Sequence, residues 1–195
     1  MKLPRAVRKA DECDGGRHAR CYRGIVTQPR AVPRIRTATP GDRLALPLLE
    51  AAADRLLEAA LGHQALPAPE LQAPGAPLFI LVATLAAGNP PVGFARVDEV
   101  GGEAHLEQIS VHPDSAGRGI GRSLLEAAID RAQNLGFASM TLCTFAEVPF
   151  NARFYASCGF EELTGPGPAL AALRTHEAQL GLDGLGRRAV MQLRL

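Results

Sequence analysis

Apolar positions along the chain recur first at a helical period, then as short continuous or alternating runs. "RLALPLLEAAADRLLEAAL" (Arg43–Leu61) carries Leu and Ala at helical spacing and predicts a helix interrupted early by Pro47. Ahead of it, "RIRTATPGD" (Arg34–Asp42) predicts a short strand ending at a Pro-Gly turn, with Asp42 as helix N-cap. The proline load of "GHQALPAPELQAPGAP" (Gly62–Pro77) makes a loop. "LFILVATL" (Leu78–Leu85) is continuously apolar, as a buried strand would be. "VGFARVDEV" (Val92–Val100) reads as its hairpin partner, and "EAHLEQISV" (Glu103–Val111) as a third strand after Gly101-Gly102.

A helical pattern then opens on Gly117, Gly119 and Gly121. It sets Leu124, Leu125, Ala128, Ile129 and Ala132 on one stripe and runs to about Leu135, where Gly136 stops it. "ASMTLCTF" (Ala138–Phe145) predicts a strand and "NARFYASCGF" (Asn151–Phe160) a short helix closed by Gly159. "RRAVMQLRL" (Arg187–Leu195) predicts a final strand. No internal repeat is present. Hairpins feeding a strand–helix–strand unit imply an α/β fold with a mixed sheet.

Composition changes this picture mainly at the N-terminus. An apolar content of 47% over 195 residues suits one globular domain with room for a short appendage. The net charge of +1 conceals an asymmetry. Residues 1–36 hold ten Lys/Arg, including Lys2 and Lys9, the chain's only lysines, against three acidic residues. The remainder is net acidic, so a basic arm (residues 1–33) precedes a body (residues 34–195). The arm has few large apolar residues and no helical period, and composition predicts an extension without packed structure. It lacks the apolar stretch of a signal peptide. No run in the chain reaches the roughly 18 apolar residues of a membrane span, so no membrane partner is expected. Cys13, Cys21, Cys143 and Cys158 show no paired spacing, which fits reduced thiols in the cytoplasm. Cys13, His18 and Cys21 lack a fourth metal ligand nearby, and no metal is expected. A basic arm invites a nucleic-acid reading, but its single aromatic, Tyr22, offers little base stacking.

The candidate chemistry sits in "EQISVHPDSAGRGIGRSLLEAAIDRA" (Glu107–Ala132). A strand, a glycine turn and a helix start together make an anion site, usually for phosphate. Neither common nucleotide template fits. The dinucleotide pattern needs a glycine where Leu124 stands. The mononucleotide loop needs glycine and lysine where Ala116 and Arg122 stand.

"ISVHPDSAGRGIGRSLLEAAIDRAQNLGF" resembles the acyl-CoA pyrophosphate loop and helix of the GNAT superfamily of N-acetyltransferases. "NARFYASCGFEEL" resembles that superfamily's closing helix and strand, and the likeness runs in order from about Arg34 to Leu195. One departure stands out: Ala116 occupies the position where the superfamily loop usually opens with Gln or Arg. The resemblance implies a GNAT-like fold, a mostly antiparallel twisted sheet flanked by helices, with acetyl-CoA as co-substrate. It further implies that N–H groups of the strand Ile109, Ser110 and Val111 serve the pantetheine and carbonyl. The turn Ala116, Gly117, Arg118, Gly119, Ile120, Gly121 and Arg122 would serve the pyrophosphate. Asn151 would lie near the pantetheine arm, with helix N-capping as its competing role. Tyr155 would stand near the CoA sulfur.

The remaining task is deprotonation of the attacking amine. An alkylamine costs about 4.6 kcal/mol to deprotonate at pH 7 and an α-amine about 1 kcal/mol. A base therefore matters for the first and is nearly optional for the second. The two-residue period of a strand places His105 and Glu107 on one face together with Ile109 and Val111, so either His105 or Glu107 is a candidate base. The expected function is transfer of acetyl to a primary amine of a small molecule or peptide by direct attack. Two rivals stay open: a non-catalytic CoA-binding sensor, and a nucleic-acid-associated protein acting through the arm. The superfamily often dimerises, which leaves a homodimer open.

Overall fold

The computed structural model describes residues 32–67 and 76–195. Residues 1–31 of the basic arm, with Cys13, His18 and Cys21, lie outside these residues. The strands are β1 (Arg34–Thr37), β2 (Phe79–Thr84), β3 (Gly93–Val100), β4 (Glu103–Val111), β5 (Ser139–Phe145), β6 (Glu161–Glu162) and β7 (Arg188–Arg194). They form one sheet in the order β1-β2-β3-β4-β5-β7-β6. Every neighbouring pair is antiparallel except β4 and β5, which run parallel. The fold class read from the sequence holds.

The helices are α1 (Pro40–Arg43), α2 (Leu46–Ala60), α3 (Ile120–Asn134), α4 (Ala152–Ala156), α5 (Pro168–Gln179) and α6 (Leu182–Leu185). The first helical region differs from expectation in two details. Thr39, not Asp42, is the N-cap of α1. Asp42 instead closes a capping box onto the Thr39 backbone at 2.8 Å and accepts a forked pair of hydrogen bonds from Arg36. Those bonds hold its carboxyl far below the ordinary carboxylate range. Pro47 sits in the first turn of α2, where a missing N–H costs nothing. The helix therefore starts beside it rather than being broken by it.

On one side of the sheet, Leu124, Leu125, Ala128 and Ala132 of α3 pack fully buried against Ala95, Val97, Leu106, Met140 and Leu142. On the other side, Leu46 and Leu49 of α2 cover Ile80, Val82 and Phe94. That second cluster ends at β3. Over β4, β5 and β7 the same face is largely polar, with Phe145 and Val190 as buried apolar exceptions, and α5 is tied to it by ion pairs. Glu177 of α5 accepts hydrogen bonds from Arg188 of β7 and from Arg174, and Arg174 also pairs with Asp183 of α6.

Candidate active site

β4 builds the site by changing its alternation midway. Its pairing with β3 matches Gln108 to Arg96 but Leu106 to Val97. Glu107 is therefore an extra residue, a β-bulge of the kind often found beside active sites. Ala104 and Leu106 face the α3 core before the bulge, and Ile109 and Val111 face it afterwards. His105 and Glu107 both point to the polar face, with His105 Nε2 3.8 Å from Glu107 Oε2. The expectation that all four share one face is thus corrected. The period of two holds only until a bulge intervenes, and neither glycine nor proline in β4 signals this one.

The bulge coincides with the end of the parallel pairing. β4 meets β5 only at Ala104, His105 and Leu106, opposite Met140, Thr141 and Leu142. Beyond Leu106 the two strands are no longer paired, and the backbone from Glu107 through Ile109, Ser110 and Val111 has no β5 partner. Ser110 is buried and accepts a hydrogen bond from Gln108 at 2.8 Å. From the end of β4 the chain runs through a short 3-10 turn (Pro113–Ser115) to the start of α3.

Gly119 caps α3 with φ of 81°, a left-handed conformation that glycine adopts without strain. Ser123 N–H is the first to bond back, to Gly119 O at 3.0 Å. The N–H groups of Ile120, Gly121 and Arg122 thus begin the helix without intrahelical acceptors. Gly121 has ordinary helical geometry, and a Cβ there would meet only a Val111 methyl at 3.8 Å. The fold itself does not require glycine at this position. The bare backbone leaves a cradle that a side chain would fill, which suits close approach by an anionic group. Ala116 is exposed and supplies no polar side chain. Arg118 donates to Asp114 O at 3.3 Å. Arg122 donates to Ser157 Oγ at 2.8 Å and lies over the Phe154 ring, tying α3 to α4.

Asn151 N-caps α4 through its carbonyl, which accepts from Phe154 and Tyr155 N–H at 2.8 and 3.1 Å. The N-cap position expected for Asn151 is thus observed, although its side chain makes no capping bond. Tyr155 is buried on the α3 side in edge contact with Phe154 and Phe160. Burial raises its phenol above the ordinary value.

On the polar face the electrostatics separate the two candidate bases. His105 is almost wholly enclosed, and burial depresses its imidazole to about 4. It is neutral near pH 7. Glu107 keeps 38% of its side chain open, while partial desolvation and the nearby Asp98 charge raise its carboxyl above the usual range. Burial pushes the Cys143 thiol up to about 12, so it stays protonated. Two groups here escaped the sequence reading. Thr141 lies fully buried with its hydroxyl 2.8 Å from His105 Nδ1, and Glu177 reaches this face from α5. The polar alternation of Ser139, Thr141 and Cys143 in β5 was a legible sign of that face. α5 had no comparable signal, because only Leu170 of its residues is buried.

Parted strands running onto a glycine-led helix start, with a tyrosine helix packed alongside, form an acyltransferase scaffold. The chain belongs to the acetyltransferase (GNAT) family, whose model matches residues 48–160. It is 38% identical over 80 residues to ribosomal protein bS18-alanine N-acetyltransferase of Salmonella typhimurium, covering 41% of this chain and 54% of that protein. The chain thus spans about half the length of the curated relatives it matches. In structure it is similar to the ribosomal-protein-S18-alanine N-acetyltransferase of Escherichia coli (TM-score 0.56, 24% identity, 84% of this chain and 94% of that one). It is similar also to the PaiA N-acetyltransferase of Thermoplasma acidophilum in complex with coenzyme A (TM-score 0.59, 13% identity, 84% and 99%).

Proposed function

We propose that the protein is an N-acetyltransferase that moves acetyl from acetyl-CoA to a primary amine of a small molecule or a peptide, by direct attack and without a metal. The observation that carries this reading is the parting of β4 from β5 after Leu106, immediately ahead of the glycine-led start of α3. The strand backbone from Ile109 through Ser110 to Val111, unpaired on its β5 side, serves the pantetheine arm and the thioester carbonyl. The turn from Ala116 and Gly117 through Arg118 and Gly119 to Ile120, Gly121 and Arg122 serves the pyrophosphate, chiefly through N–H groups. Ala116 brings no side-chain contact, and the arginines are already engaged within the protein. The side chain of Asn151, unused as a cap, remains available to the pantetheine arm.

Glu107 accepts the amine proton. It is accessible, its raised pKa brings it closer to neutrality, and a base near the working pH is the more effective one. His105 is enclosed and a weak base, so it does not take that part. The Tyr155 hydroxyl hydrogen-bonds the departing sulfur. Full proton transfer from a phenol to a thiolate is uphill by about 2 kcal/mol with unperturbed groups, and burial of Tyr155 makes it steeper. A hydrogen bond that strengthens as the C–S bond breaks suffices.

Among the described residues no helix is long and apolar enough to cross a membrane. The unpaired Cys143 and Cys158 suit a reducing compartment, for which we propose the cytoplasm. The deciding experiment is a panel of amines incubated with acetyl-CoA, followed as free thiol, beside calorimetric titration of CoA into wild type and Gly121→Glu. Turnover with at least one amine, and CoA binding weakened about 100-fold or more in the folded variant, are expected. Tight CoA binding without turnover on any amine would favour the sensor reading. Unchanged affinity in Gly121→Glu would remove the phosphate assignment.

A further inference from the structure

The mechanism above uses neither the buried hydroxyl of Thr141 nor the enclosed ring of His105, yet the two form one unit. His105 Nδ1 lies 2.8 Å from Thr141 Oγ1, and that oxygen also donates toward the Ala104 carbonyl at 3.4 Å. A carbonyl can only accept, and a hydroxyl has a single proton. With that proton directed at Ala104 O, Thr141 Oγ1 must accept from Nδ1–H. The ring then carries its proton on Nδ1 and presents a bare Nε2 toward Glu107 Oε2, 3.8 Å away.

We propose that Thr141 and His105 are positioning residues for Glu107: the hydroxyl fixes the imidazole tautomer so that bare Nε2 accepts a hydrogen bond from the Glu107 carboxylic acid formed on deprotonation of the amine. This rests on the acetyltransferase reading for its purpose, though not for its geometry. The proton balance closes without another reactant. An ammonium N–H bond breaks and its proton joins the Glu107 carboxylate. The acid O–H then turns to Nε2, the 3.8 Å gap shortening as such contacts do when a substrate is bound, and the proton finally leaves to solvent. His105 itself stays neutral throughout, since burial opposes an imidazolium there. In the resting enzyme a lone pair facing a carboxylate disfavours its charged form, in the same direction as the raised pKa of Glu107. The other charged groups that face Glu107 are Arg96 and Asp98 of β3, Glu50 of α2, Glu177 of α5 and Arg188 of β7. Arg96 is paired to Asp98 at 2.9 and 2.8 Å and Arg188 to Glu177 at 2.5 Å. Much of their charge is thus satisfied internally, and the tautomer becomes the element that can reverse its effect on Glu107.

The test reads the groups themselves on the full chain. Nitrogen NMR of the histidine rings should show His105 as the Nδ1–H tautomer. Carbon NMR titration of the Glu107 carboxyl in wild type, Thr141→Val and Thr141→Ser reports its midpoint directly. In Thr141→Val the ring is released to the Nε2–H form, which donates to the carboxylate, and the midpoint should fall by about one pH unit. Thr141→Ser should restore it, and the acid limb of kcat/KM should follow the same order. An Nε2–H signal for His105 in wild type would overturn the proposal even if Thr141→Val failed to fold. An unmoved Glu107 midpoint in folded Thr141→Val would overturn it as well. Absence of turnover on every amine, with the midpoint shift intact, would instead count against the acetyltransferase reading alone.

Discussion

The two faces of the sheet obey different rules. The α3 face is a continuous apolar layer in which Ala95, Val97, Leu124 and Leu125 have no solvent exposure. The opposite face is apolar under α2 and largely polar over β4, β5 and β7, where His105, Thr141 and Glu107 stand among Asp98, Glu177 and Arg188, with Phe145 and Val190 as buried apolar exceptions. The first face is governed by volume and the second by charge. What the difference teaches is that one twisted sheet separates stability from chemistry by side, so a perturbation of each kind should register on one face and pass almost unnoticed on the other.

The strongest challenge to that division is Leu124→Ala. Deleting a wholly buried leucine should cost about 2–5 kcal/mol of unfolding free energy with little dependence on pH. Chemical denaturation at two pH values measures this, and a loss below about 1 kcal/mol would mean the α3 face is not closely packed.

The polar face should show the reverse behaviour. His105 has a folded value near 4 against an ordinary 6.5, so below 6.5 the unfolded chain binds a proton that the native state refuses. Stability from this group is complete above the unfolded value and falls as pH drops from 6.5 toward 4, by about 3 kcal/mol in all. His105→Gln should flatten that part of the stability-versus-pH curve. A slope identical to wild type would show that the ring is not held neutral.

Tyr155 is the test of the boundary, since it packs on the volume-governed side but is assigned to the chemistry. Tyr155→Phe keeps the ring contacts with Phe154 and Phe160, so its melting temperature and CoA affinity should stay close to wild type. Its kcat should fall about 100-fold. Turnover within about threefold of wild type would return the residue to packing alone. The smallest effect concerns Gly93, where a Cβ would come within 2.9 Å of the Ser110 carbonyl and 3.2 Å of Leu124. Gly93→Ala should destabilise by about 1–3 kcal/mol through backbone adjustment, whereas Gly121→Ala, whose Cβ would make only an ordinary contact with Val111 at 3.8 Å, should fold as wild type does. Equal melting temperatures for the two variants would contradict the packing described for Gly93.

Most of the volume-governed face was legible in the sequence. The stripe from Leu124 to Ala132 announces itself by helical period, β2 by its continuous apolar run and β5 by alternation, and the glycine turn marks where the proposed anion site begins. The polar face was legible only in fragments. His105 and Glu107 stood out as ionisable residues on a strand, but their separation from Ile109 and Val111 depended on a bulge. A bulge is a matter of pairing with β3, which no local pattern in β4 records. Thr141 could be seen as polar but not as a partner of His105, because the contact spans 36 residues. α5 escaped because it is held by Arg174, Glu177 and Arg188 rather than by an apolar stripe, and helical period in apolar residues was the signal being read.

The extra residue in β4 has a consequence for anyone remodelling this scaffold. Removing Glu107 would delete the carboxylate and restore strict alternation without turning anything downstream, because Gln108 would follow Leu106 on the polar side, where it already lies. Keeping Glu107 but pairing it in strict register with β3 would do the damage: Ile109 and Val111 would swing into the charged side, and Gln108 and Ser110 would be driven into the oily one. The single insertion works as a phase shifter, letting one strand deliver ionisable groups to a reaction and, four residues later, grease to a core. A redesign that seeks new acceptors should therefore vary side chains around this residue and keep the pairing that leaves it unmatched to β3.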